Sequence, residues 1–117
     1  MDRKMKAISY VIAAIGLNFA LLGNSYADKQ WNKTHPRRTE VNRRLKNQNR
    51  RIDQGVKNGK LTQQQAQELH AEDKNIRNQE RGMAKMNGGH ITKEEQKTLN
   101  QEENRASRQI YQEKHNK

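Results

Sequence analysis

Seven basic side chains crowd into fifteen residues of this chain: Arg37, Arg38, Arg43, Arg44, Lys46, Arg50 and Arg51. On a helix, Arg43, Lys46 and Arg50 stand at i, i+3 and i+7 and share one face, while Arg44 and Arg51 line the neighbouring one. A face of that kind attracts phosphate, whether carried by nucleic acid or by lipopolysaccharide. The competing use is internal: arginines here can neutralise Glu68, Glu72, Asp73 and Glu80 of the next helix. Both uses stay open, because different arginines can serve each. Trp31 and Tyr111 aside, aromatic groups for stacking bases are scarce, so base-specific reading of single strands is not expected.

Other chemistry finds less support. The four histidines, His35, His70, His90 and His115, include no i, i+4 pair, and there is no cysteine to complete a metal site. A metal or stress sensor using His70 or His90 is a minor alternative. The stretch from Ala84 to Glu95 has the outline of a calcium loop, with Gly89 at its sixth position, Ile91 at its eighth and Glu95 at its twelfth. Its first, third and fifth positions are Ala84, Met86 and Gly88, which offer no carboxylate. The earlier copy puts Gln54, Val56 and Asn58 there, and Gln65 at the twelfth. Calcium needs several hard oxygen ligands, so an EF-hand shape without EF-hand ligands is expected. No nucleophile–base pair and no phosphate-cradling glycine loop stands out. Neither enzymatic activity nor a cofactor is expected.

The segment 1–27 has the layout of a secretory signal peptide: Arg3, Lys4 and Lys6, an apolar run from Ala7 to Leu22, then Ser25-Tyr26-Ala27 with small residues where a peptidase reads. Cleavage is expected after Ala27, leaving no membrane span and a periplasmic or secreted protein. From Asp28 onward there are 21 basic and 12 acidic residues, a balance of +9, and no disulfide. The charge is uneven. Residues 28–60 carry eleven basic and three acidic residues, +8, whereas residues 61–117 carry ten and nine, +1. Residues 28–36, with Trp31, His35 and the sole proline, read as an extended lead-in, because the residue before proline avoids the helical region.

Residues 37–117 read as one all-α domain, a small antiparallel three-helix arrangement built on a duplicated helix–turn unit. Val41, Leu45, Ile52 and Val56 make one apolar stripe, with Gln48 or Asn49 in the missing rung. Asn58-Gly59 stops that helix, and Thr62 with Gln65 forms a capping box for the next. Its stripe runs through Ala66, Leu69, Asp73, Ile76, Glu80 and Met83. Asn87-Gly88-Gly89 stops it in turn, and Thr92 with Glu95 caps a third helix striped by Leu99, Glu103, Ala106 and Ile110. Gly59, Leu61, Thr62, Leu69 and Asp73 recur as Gly89, Ile91, Thr92, Leu99 and Glu103, thirty residues on, without a gap. The acids on the stripes admit three arrangements: a layer paired with arginines such as Arg44 or Arg51, a solvent-exposed edge, or a core completed by a homodimer or other partner.

Two resemblances follow from these motifs. Leu61-Thr62-Gln63-Gln64-Gln65 matches the LTxxQ signature and resembles the Spy- and CpxP-type periplasmic chaperones, with Ile91-Thr92-Lys93-Glu94-Glu95 a looser copy. That likeness implies a small secreted helical protein that dimerises and holds unfolded clients. His35-Pro36-Arg37-Arg38, Glu40-Val41-Asn42, Asn47-Gln48-Asn49, Leu69-His70, Gly88-Gly89-His90-Ile91-Thr92 and Leu99-Asn100-Gln101 are similar to a group of small exported proteobacterial proteins without an assigned activity. It implies secretion and the three-unit layout. The leading expectation is a non-catalytic, chaperone-like envelope protein that binds unfolded or envelope protein clients. The main alternative is a secreted binder of nucleic acid or lipopolysaccharide through the basic first helix.

Overall fold

Four helices account for most of the residues that the computed structural model describes, 25–116: α1 (Ser25–Thr34), α2 (Pro36–Lys57), α3 (Gln63–Met86) and α4 (Lys93–His115). The expected signal segment lies, through residue 24, outside the described residues. No helix among the described residues is long and apolar enough to cross a membrane. Residues up to Thr34 form one unit and His35 onward another.

The expected extended lead-in is corrected. Ser25–Thr34 is helical, and the Thr34 hydroxyl donates to the carbonyls of Gln30 (3.3 Å) and Trp31 (3.1 Å) at its last turn. Proline's constraint reaches only one residue back. His35, at φ −131° and ψ 59°, leaves the helical region, and Pro36 then opens α2 at a position where its missing N–H costs nothing. The His35 carbonyl receives the Thr39 amide at 2.9 Å and the Thr39 hydroxyl at 2.7 Å.

In the second unit α2, α3 and α4 all pack on one another. Val41, Leu45 and Ile52 are buried on α2 with Gln48 in the missing rung, while Val56 is only partly buried; on α4 Leu99, Glu103, Ala106 and Ile110 are buried as the spacing predicts. On α3 the stripe closes with buried Ala84, and Met83 is only partly buried. The α2 helix ends at Lys57, just before the Asn58-Gly59 stop.

Both turns follow one design. Gly59 has φ 75°, and Gly88 and Gly89 have φ 64° and 95°, left-handed values that side chains with a Cβ rarely adopt. In each case a threonine then caps the next helix. The Thr62 hydroxyl accepts from the Gln65 amide (3.0 Å) while Gln65 accepts from the Thr62 amide (2.9 Å). Thr92 and Glu95 repeat this at 3.1 and 2.8 Å. Between glycine and cap, each turn turns one apolar residue inward. Leu61 enters a cluster with Ile52, Ala66, Leu69 and Ile110, whereas Ile91 joins Val41, Leu45, Ile76 and Leu99. The two copies therefore plug opposite ends of the bundle, because successive helices run in opposite directions. At the first end Gly55 is required: a β-carbon there would lie 2.6 Å from Leu61 Cδ1.

Candidate anion-binding face

The core between the two plugs is not wholly apolar. Gln48 from α2, Asp73 from α3 and Glu103 from α4 are all buried, and Glu80 is buried nearer the Ile91 end. Of the three arrangements open to the acids, the internal one is observed, with different completeness at each. Glu80, 1% exposed, is paired with Arg38 through Nε, and Arg38 Nη2 donates to its other oxygen at 3.4 Å. Arg38 Nη1 also donates to the Gly89 carbonyl at 3.0 Å, tying α2 to the second turn. Glu103 lies 3.5 Å from Arg44 Nη1, and Arg44 donates to Asn104 Oδ1. Arg51 donates through Nη1 to the Ser107 hydroxyl (2.7 Å) and through Nη2 to the Ser107 carbonyl (3.3 Å).

Asp73 is less well provided for. Both its carboxylate oxygens, both of Glu103's and Gln48 Oε1 have no hydrogen-bond partner among the described residues. Gln48 uses its Nε2 on the Glu103 carbonyl, at 2.7 Å. Burial pushes the Asp73 carboxyl up to about 6; His70, Arg77 and Arg51 pull the other way, and Glu72 adds to the rise. Burial pushes Glu103 further, to about 8, against the pull of Arg44 and with the help of Glu40, Asp73 and Glu102.

The seven basic residues singled out by spacing therefore do not act as one patch. Arg38, Arg44 and Arg51 lean toward α3 or α4 and are half-buried. Arg37 is exposed, with Nη1 3.5 Å from the Ile91 carbonyl. Arg43, Lys46 and Arg50 are exposed. With Arg44, Asn47 and Asn49 they line an open groove of about 780 Å³. Arg50 donates to Asn47 Oδ1, one turn away, while Arg43 and Lys46 have no side-chain partner among the described residues. The one carboxylate lining the groove, Asp53, lies 2.8 Å from His70 Nε2; the other ring nitrogen, Nδ1, lies 2.6 Å from Asn49 Oδ1. Lys57 continues the same helical face seven residues beyond Arg50.

The remaining sequence candidates separate. His90 stacks on His35, with ring centroids 4.5 Å apart and planes 11° from parallel. Glu95, at the twelfth position of the calcium-like loop, caps α4 and accepts from Asn87 Nδ2 at 3.1 Å. Among the described residues no three His, Cys, Asp or Glu side chains gather where they could hold a metal ion. Spacing did not single out a second basic corner around Arg51, Arg108 and Tyr111, because its members come from different helices.

Comparison with protein families, with curated proteins and with solved structures finds no match. What the chain does must be argued from its surfaces.

Proposed function

We propose that this protein is a non-catalytic binder of phosphate-bearing polymers, acting through the outer face of α2. One observation carries this: Arg43, Lys46 and Arg50 stand exposed on a single helical face, and the buried acids Glu80 and Glu103 are answered by Arg38 and Arg44 instead. A row of cations without matching carboxylates raises the local potential and releases condensed counterions when a polyanion docks. The uneven charge, +8 over residues 28–60 against +1 beyond, supports the same reading.

A chaperone-like surface for unfolded clients is the second reading. It needs exposed apolar area, and among the described residues the large exposed apolar side chains are Met86 and Tyr111, at 87% and 59%. That is little to hold a client with, so the anionic partner is preferred. The protein is further proposed to work outside the cytoplasm after cleavage following Ala27, in keeping with its resemblance to small exported proteins.

The deciding experiment is retention on immobilised heparin and on DNA as salt is raised. The chain should bind at low salt and elute with a steep salt dependence. The triple variant R43A/K46A/R50A should lose affinity by at least tenfold for each, with helicity unchanged. Equal retention of that variant would exclude the α2 face, and suppression of client aggregation without polyanion binding would favour the chaperone-like reading.

A further inference from the structure

Tyr111 is one of two large apolar side chains left exposed among the described residues, and Arg51 and Arg108 stand beside it. It lines a groove of about 380 Å³ with Arg51, Ser107, Arg108 and Gln112, and no carboxylate is among these residues. One face of its ring is backed by His115, with centroids 4.0 Å apart and planes 23° from parallel, and His115 Nδ1 lies 2.7 Å from the Tyr111 carbonyl. His115 thus covers one face of the ring. Arg51 is held in place: Ser107 takes two of its N–H groups and leaves the rest of the guanidinium fork beside the groove.

A further cation of α4, Lys114, stands near Arg51. Lys114 packs over Gly55, whose absent β-carbon would lie 2.9 Å from Lys114 Cε. Burial holds the Lys114 ammonium below its ordinary value, and the cations Arg51 and Lys60 push it the same way. Arg51 from α2 and Arg108 from α4 therefore flank an aromatic platform. A guanidinium suits a phosphate, and an aromatic face suits a base. Lipopolysaccharide has no aromatic rings to stack, and a duplex keeps its bases inside.

We propose that the groove beside Tyr111 is a nucleotide subsite in which Arg51 and Arg108 hold a backbone phosphate and a base stacks on the Tyr111 ring, which makes single-stranded nucleic acid the partner class. This rests on the polyanion reading of α2 and narrows it, since the platform adds to that reading a contact only an unpaired base can make. It also departs from the sequence-based expectation that stacking groups are too few, because one aromatic suffices where cations hold the strand against it.

The test is fluorescence anisotropy with labelled fifteen-nucleotide single strands, the corresponding duplex, and heparin and lipopolysaccharide as competitors. The unaltered chain should bind the single strand more tightly than the duplex. Y111A should weaken single-strand binding by about tenfold or more while duplex and heparin binding stay unchanged, and Y111F should bind as the unaltered chain does. R108A should reduce the slope of log affinity against log salt by roughly 0.7, one phosphate's worth on a single strand. If Y111A binds single strands normally, or lipopolysaccharide displaces them better than unlabelled strand does, the subsite is excluded. Those results leave the α2 reading standing as long as R43A/K46A/R50A still abolishes retention. Failure of every polyanion to bind would remove both.

Discussion

The two sides of α2 carry the same residue type and use it in opposite ways. Toward α3 and α4, Arg38, Arg44 and Arg51 are half-buried and each reaches a partner more than forty residues away in sequence. Toward solvent, Arg43, Lys46 and Arg50 pair with no acid among the described residues, though Arg43 and Arg44 are adjacent in the chain. A helix turns about 100° per residue, so neighbours in sequence meet different environments. Net charge alone therefore misjudges this helix: of its eight cations, Arg38, Arg44 and Arg51 are tied into the bundle, and of these Arg51 keeps N–H groups to spare beside a groove.

The largest test of that contrast is Arg38→Ala. It would leave Glu80 buried without its guanidinium, and such an uncompensated charge costs about 3–5 kcal/mol. Urea unfolding should show that loss at neutral pH, with much of it recovered in R38A/E80Q. A loss under 1 kcal/mol would mean that Arg38 belongs with the outward set.

Next in size is the response to pH. Asp73 and Glu103 have carboxyls raised to about 6 and about 8, so the folded chain holds protons there that the unfolded chain releases near 4. Their contribution is fully present below about pH 4 and is lost as pH rises through 6 for Asp73 and then 8 for Glu103. The groups that face them are Glu40, Arg44 and Arg51 from α2, His70, Glu72 and Arg77 from α3, and Glu102 from α4. Thermal unfolding between pH 5 and 9 should show D73N/E103Q losing less stability than the unaltered chain on the alkaline side. Parallel curves for the two proteins would contradict the raised carboxyls.

The smallest expected effect sharpens the contrast from the other side. R43A/K46A/R50A should change unfolding free energy by no more than about 0.5 kcal/mol, the usual range for surface substitutions away from special features. A larger loss in urea unfolding would show that these cations also support the fold.

Much of the architecture was legible in the residues. Glycines before threonines, a glutamine or glutamate three residues after each threonine, and stripes of three and four marked both turns and three helices, because these are local rules of backbone and periodicity. The acids on the stripes were legible as an anomaly but not as a solution. Whether Glu103 meets Arg44 or Arg51 depends on how far α4 is rotated against α2, which packing sets and spacing does not. The same rotation decides that Arg44 leans toward Asn104 while Arg43 faces outward. The lead-in was misread for another reason: one proline was allowed to govern nine residues, when it constrains His35 alone. The Tyr111 corner escaped notice because Arg51 and Arg108 lie 57 positions apart.

Leu61 and Ile91, the two plugs, also limit how this bundle can be edited. Each repeat closes the end of the core where its own turn lies, and three antiparallel helices have two ends. Cutting the chain after Met86 would remove Ile91 together with α4 and uncover Val41, Leu45 and Ile76 at one stroke. Adding a further copy would supply a third plug with no open end to enter. In this bundle the repeat therefore acts as a closing unit, with one copy at each end of the core.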